Sequence, residues 1–166
     1  MSTLQETVVT TGVDEQLVIF TLNQELYGIN IEAVNTIIRL PEITSTPHAA
    51  PCVKGVMNFR GTIVPIVNLR LRLGLQETEA TKATRVIVVE QLGMLVGLIV
   101  DTVTETLHLP VAAIEPLSEM AQSIDSRFVR GVGKQDHRLI ILLSLEEVIE
   151  RQQALREPAT PVVNPN

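Results

Sequence analysis

Three histidines, one cysteine, Asp101 and a glycine–lysine run are the first candidates in this chain for catalysis or metal binding. Their spacing supports neither. His48 lies in a proline-rich loop, His108 at a strand end and His137 in a turn, and none stands at metal-ligand spacing from a Cys, Asp or Glu. His137 beside Asp136 reads as a solvated turn pair. Cys52 follows Pro51 into an apolar strand, where a thiol is buried and inert rather than nucleophilic. Gly131-Val-Gly-Lys134 has the end of a phosphate loop, but Gln135 stands where Ser or Thr is required, and no glycine opens the motif. Asp101 follows an apolar strand and could serve as an acid. Capping the segment at Thr102, or binding a neighbouring turn, is the simpler use. No catalytic residue, metal or cofactor is expected.

The elements that could present polar groups to a partner are more informative. Val53 to Arg70 reads as strand, tight turn at Asn58 to Gly61, and second strand. Gly61 can take the positive φ of a short hairpin turn. Thr62 to Val67 is rich in β-branched residues, and Pro65 within it predicts an edge strand or a bulge. Arg60 at the tip offers five donors in a planar fork, suited to carbonyls and carboxylates on a partner. Simple solvation at a turn is the alternative.

The rest of the chain reads as a series of short strands. Met1 to Glu15 is a mobile lead-in. Leu17 to Leu22 and Glu25 to Ile31 are strands around an Asn23-Gln24 turn. Ile31, Val34, Ile37 and Ile38 fall at helical spacing, which predicts a short helix capped by Asn30 and ending before Pro41. Pro41 to Pro51 is a loop. Asn68 caps a helical turn through Leu73, stopped by Gly74. Gln76 to Thr84 is a polar linker. Arg85 to Glu90 and Met94 to Val100 are strands around Gln91-Leu92-Gly93; Thr102 to Leu109 is a strand or a short helix. Pro110 to Arg127 is irregular, and Phe128 to Gln135 with Arg138 to Leu143 forms a last hairpin. Ser144-Leu-Glu-Glu147 matches a capping box that starts a terminal helix, and Glu157 to Asn166 is a proline-containing tail.

A duplication emerges from these pieces. Tyr27-Gly28-Ile29-x-Ile31-x-x-Val34 matches Val96-Gly97-Leu98-x-Val100-x-x-Val103 at an offset of 69, and Val53-Lys54-Gly55-Val56 matches Val129-Arg130-Gly131-Val132 at an offset of 76. The fold class is therefore mainly β: two small β-barrels packed together, with short helices and a C-terminal helix. The folded region is placed at 16–150, in intertwined halves of roughly 16–75 and 85–150, and 151–166 is the helix end and tail. A junction between two barrels leaves an apolar groove suited to a partner helix, with Val34 and its counterpart Val103 lining its sides.

Composition narrows the partner. Hydrophobic residues make up 45% of the 166 positions and aromatics only 2%, so the core is aliphatic. A net charge of −6 and the scarcity of aromatics leave neither basic patch nor stacking platform for nucleic acid. One cysteine fits a reducing cytosol, no basic-then-apolar leader opens the chain, and no apolar run approaches a membrane span. A soluble cytoplasmic protein is expected.

The residues Phe20-Thr-Leu, Tyr27-Gly-Ile-x-Ile31, Val34-x-x-Ile37, Val53-Lys-Gly-Val56, Asn58-Phe-Arg-Gly61 and Ile63-Val-Pro-Ile66 to Leu69-Arg70 resemble the CheW family of chemotaxis coupling proteins. Val96-Gly-Leu-x-Val-Asp101-x-Val103 and Leu139 to Leu145 extend the likeness over residues 16 to 150. Phe59 stands where the family usually has Leu, and Asn68 where it has Asp. The resemblance implies a pair of SH3-like five-stranded β-barrels and an adaptor without catalytic activity, held at receptor arrays on the inner face of the membrane without inserting into it. It implies two partners: the cytoplasmic tip of a chemoreceptor (a methyl-accepting chemotaxis protein) and the regulatory domain of the histidine kinase CheA. By that similarity the receptor contacts are Val34, Ile37, Ile38, Asn58, Arg60, Val100 and Val103; the kinase contact, which the similarity carries over less directly, is placed on the hairpin around Lys54, Gly55, Thr62 and Ile63. A coupling protein of a non-flagellar pathway, for twitching or surface sensing, is the nearest alternative. A small-molecule-binding β-barrel is a distant one.

Overall fold

Two-residue turns with positive φ at both positions give this chain its hairpins. In the computed structural model, which describes residues 14–116 and 124–149, such turns fall at Asn23-Gln24 (φ 55° and 69°), Arg60-Gly61 (53° and 84°), Leu92-Gly93 (56° and 76°) and Asp136-His137 (47° and 68°). That geometry matches the right-handed twist of paired strands, and Asn and Gly tolerate it best. The turns join β1 (Asp14–Leu22) to β2 (Glu25–Asn30), β4 (Val53–Phe59) to β5 (Thr62–Asn68), β6 (Arg85–Gln91) to β7 (Met94–Val100), and β10 (Val129–Gln135) to β11 (Arg138–Leu143). Between the hairpins run β3 (Val34–Arg39), β8 (Thr102–Pro110) and the two-residue β9 (Ile114–Glu115).

The strands assemble into two sheets. Sheet A has six strands in the order β8-β1-β2-β11-β10-β9; sheet B has five in the order β3-β6-β7-β5-β4. Each sheet thus takes strands from both halves of the duplication: the β1–β2 hairpin of the first half pairs with strands of the second, and β6–β7 does the reverse. The registers agree at the offsets read from sequence. Leu142 opposes Gly28 across parallel β11·β2, and Ile66 opposes Gly97 across parallel β5·β7. Bulges recur at Val53/Gly55 and Val129/Gly131, and also where β3 leaves Val34 and β8 leaves Val103. The Thr44–Val56 bridge in one half stands where β9 meets Val132 in the other.

Alternation along the strands builds three apolar clusters. On β1, Val18, Phe20 and Leu22 face a large cluster between the sheets, while Leu17 and Ile19 face a cluster within sheet A. On β7, Val96, Leu98 and Val100 face the shared cluster, and Leu95 and Ile99 pack against the cluster of sheet B. Each fully buried aliphatic side chain here contributes about 1.5–3 kcal/mol relative to exposure. Phe20 and Tyr27 stack within the shared cluster, ring centroids 5.9 Å apart.

Several expectations are corrected. The segment expected to be a helix over Ile31 to Ile38 is a 3-10 turn at Ile31–Ala33, capped by Asn30 Oδ1 on the Glu32 N–H at 2.8 Å, followed by strand β3. β5 is interior rather than an edge, because Pro65 sits where its missing N–H is harmless. Val56 directs its N–H and carbonyl to Thr44, so the Val56–Pro65 pair exchanges no bond, and the β7 ladder begins only at Ile66. Asp14 and Glu15 belong to β1 rather than to a lead-in, and Thr102 to Leu109 is strand. The stretch Pro110 to Arg127 contains β9 and 3-10 turns at Val111–Ala113 and Ser126–Phe128. The lead-in before residue 14 and the tail after 149 lie outside the described residues.

Asn68 caps helix α1 (Leu69–Arg72) as its sequence predicts, accepting from the Leu71 N–H at 3.2 Å. Gly74 follows at φ 87°. A second helical turn occupies 145–149, its Ser144 Oγ accepting from the Glu147 N–H at 3.4 Å.

Candidate interaction surface

The hairpin tip of β4–β5 is built by its own residues. Asn58 Oδ1 accepts from the Gly61 N–H at 2.9 Å, so this side chain closes the turn. Arg60 is exposed, with its guanidinium carbon 4.7 Å from the Phe59 ring centroid, a cation–π stack. Phe59 gives Arg60 that ring. Thr62 is exposed beside it and Ile63 is 64% exposed, a large apolar side chain left in solvent on a rigid strand.

Lys54 and Gly55 stand further along β4. Lys54 Nζ donates to Glu77 Oε2 at 2.7 Å in a half-exposed pair. Gly55 is buried with φ 145°, and a Cβ there would lie 2.1 Å from the Thr44 carbonyl oxygen. Its bareness lets the proline-rich loop pair with β4.

The apolar residues divide between cores. Ile38 and Phe59 pack on the same cluster in sheet B, while Val34, Val100 and Val103 pack on the cluster between the sheets. Ile37 points outward, 37% exposed. Thus Asn58, Arg60, Thr62 and Ile63 are gathered at one tip, with Ile38 linked to it through Phe59 and the sheet B core. Val34, Val100 and Val103 belong to the inter-sheet junction. Of the expected residues, Val100 and Lys54 line a cleft of about 250 Å³ that also includes Leu40, Asn68, Arg70 and Asp101.

That cleft exposes what sequence reading left open. Asp101, weighed there as a turn-binding residue, does bind a turn: its Oδ2 accepts from the Asn23 N–H at 2.9 Å. It also accepts two bonds from Arg70, Nε to Oδ1 at 2.9 Å and Nη2 to Oδ2 at 2.6 Å. Burial pushes the Asp101 carboxyl up, but the bonds from Arg70 and Asn23 outweigh it and hold the carboxyl below its ordinary range. Its bonds to Asp101 raise the Arg70 guanidinium in turn. The signal in sequence was a charged residue at the end of each of two apolar strands, without anything to pair them. Elsewhere burial raises the Tyr27 hydroxyl and the Cys52 thiol. Among the described residues no helix is long and apolar enough to cross a membrane.

The CheW-like domain family matches residues 16–153 of this chain. The chain is 33% identical over 141 residues to the chemotaxis protein CheW of Klebsiella aerogenes, a match covering 85% of each. It is 33% identical over 138 residues to that of Rhizobium meliloti, covering 83% of this chain and 89% of the relative. Protein PilI of Pseudomonas aeruginosa is 35% identical over 108 residues, 65% of this chain and 61% of its own length. Among solved structures, the scaffolding protein TtCheW from Thermoanaerobacter tengcongensis superposes with a TM-score of 0.75 at 36% identity, covering 81% of this chain and 86% of that one.

Proposed function

This chain belongs to the CheW family, and from that premise we propose that it is an adaptor joining the cytoplasmic tip of a chemoreceptor to the regulatory domain of the histidine kinase CheA. No reaction is asked of it. It binds two partners and keeps them in register, at arrays on the inner face of the membrane. The observation that carries this reading is the β4–β5 tip, where an exposed guanidinium stacked on Phe59 and an exposed isoleucine stand on one hairpin.

In this reading Arg60 donates to backbone or acidic groups of a receptor helix, Ile37 offers an outward apolar side chain, and Ile38 supports the tip through the sheet B core. Val34 and Val103 lie at the inter-sheet junction, and Val100, 1% exposed, is core there rather than a contact. Asn58 acts by shaping the turn. The kinase contacts the flank formed by Lys54, Thr62 and Ile63, with Gly55 supporting the strand from beneath. Lys54 would then exchange its Glu77 partner for one on the kinase.

The test is a pull-down of purified wild type and Arg60→Ala against a chemoreceptor cytoplasmic fragment and CheA from the same source. Wild type is expected to bridge the two. Arg60→Ala is expected to keep the kinase and lose about 1–3 kcal/mol of receptor affinity, the range for a charged hydrogen bond. Normal receptor binding by a folded Arg60→Ala would remove that role; failure of wild type to bind either partner would overturn the adaptor reading. A second reading, a coupling protein of a non-flagellar chemosensory pathway, draws on the similarity to PilI. Exchanging the receptor fragment for one from such a pathway distinguishes the two.

A further inference from the structure

We propose that the Arg70–Asp101 pair is the joint that fixes the setting of sheet A against sheet B, and that coupling between the two bound partners depends on it. The coupling half rests on the adaptor reading above; the structural half stands alone. Asp101 is the single residue between β7 of sheet B and β8 of sheet A, so the chain changes sheets at this point. Its N–H donates to the Thr21 carbonyl at 3.1 Å, and its carboxylate takes the Asn23 N–H, both at the tip of the β1–β2 hairpin in sheet A. Arg70 approaches from α1, which continues β5 of sheet B, and its remaining Nη1 donates to the Gln76 carbonyl at 2.9 Å. Three segments therefore meet on one carboxylate. The two side chains are 12% and 27% exposed, so the pair is partly shielded from water.

The joint breaks the symmetry of the duplication. At the repeat offsets, Glu146 takes the place of Arg70 and Glu32 that of Asp101, so the second half cannot form this pair. The matching crossing from β2 to β3 uses a three-residue 3-10 turn instead. Apolar contact between the sheets is non-directional and tolerates sliding, whereas a bidentate guanidinium–carboxylate pair fixes both distance and angle. Without it the sheets stay associated through their shared cluster but pivot on it. An adaptor that pivots still binds each partner and transmits less between them.

The test places spin labels at Thr106 on β8 and Glu90 on β6, both exposed, in a Cys52→Ala background, and measures the distance between them by pulsed electron resonance. Arg70→Gln is expected to at least double the width of the distance distribution, with strand content unchanged. Arg70→Lys, which keeps one contact, should fall between, and it carries the measurement if Arg70→Gln does not fold. A width equal to wild type in a folded Arg70→Gln overturns the joint. With receptor fragment and kinase reconstituted, Arg70→Gln should bind each alone within about threefold of wild type and lose about tenfold of receptor-dependent kinase control, a coupling change within the usual allosteric range. Equal control by wild type and Arg70→Gln overturns the coupling role. Absence of control by wild type itself defeats the adaptor reading, and the distance measurement still decides the joint.

Discussion

Two glycines in the hairpin at the centre of the chain do different work, and substituting them separates the two. At Gly61 a Cβ meets nothing within 4 Å, so Gly61→Ala costs only its backbone conformation at φ 84°, about 1 kcal/mol. At Gly55 the same change combines a φ of 145° with a Cβ 2.1 Å from a backbone oxygen, and about 2–4 kcal/mol is expected from strain and overpacking together. Urea unfolding of the two variants checks the order; equal losses would mean the Thr44 loop yields freely. Asp101 supplies a pH signature. Its folded pKa lies below its ordinary value of 3.8, so the folded state binds fewer protons than the unfolded state in the acid range. The stabilisation by Arg70 and Asn23 is therefore complete above that value and is lost as pH falls through the folded pKa. Asp101→Asn should cost about 1–3 kcal/mol at neutral pH, and the gap from wild type should close as pH falls through the folded pKa of Asp101. A constant gap down the acid limb of a stability–pH curve would show that charge is not what the pair contributes.

Elements whose signals are local were legible from sequence, and those set by what packs alongside were not. The turns at Asn23-Gln24 and Asn58 to Gly61 announce themselves by residue type, as do the caps at Asn68 and Ser144. The segment from Ile31 to Ile38 misled because a 3-10 turn followed by a bulged strand copies helical spacing. Ile31 and Val34 reach the cluster between the sheets, and Ile38 reaches the one in sheet B. Pro65 misled because nothing in sequence shows that Thr44 takes the bonds of Val56. The exposure of Arg60 was legible from its place in a hairpin turn. The Arg70–Asp101 pair was not legible, because only the crossing of sheets brings it together. The two caps permit a test at this scale. Asn68 accepts at 3.2 Å and its Nδ2 also reaches Glu77 at 3.4 Å, while Ser144 accepts at 3.4 Å. Asn68→Ala should cost about 1 kcal/mol and Ser144→Ala about 0.5 kcal/mol, the low end of the range for a lost cap. Thermal melts that rank them in reverse would locate the stronger cap in the second half.

Exchange of hairpins between the halves makes neither half a folding unit, although the duplication invites that idea. Sheet B contains β6 and β7 of the second half between β3 and β5 of the first, and sheet A contains β1 and β2 between β8 and β11. The largest apolar cluster takes side chains from both sheets, among them Phe20, Tyr27, Val67 and Leu98. Loss of any interior strand therefore strips pairing from one sheet and cover from the other, and unfolding should be a single cooperative event. Ile87 on β6 is fully buried in the shared cluster, and Ile87→Ala should cost about 2–5 kcal/mol. Amide hydrogen exchange decides where that loss is felt. If the molecule is one unit, the slowest amides of β1 and β2 lose as much protection as those of β6 and β7, because both exchange only through global opening. Protection that falls in sheet B and survives in sheet A would mean that the sheets unfold separately, and that their union depends on the joint at Asp101 more than on the core they share.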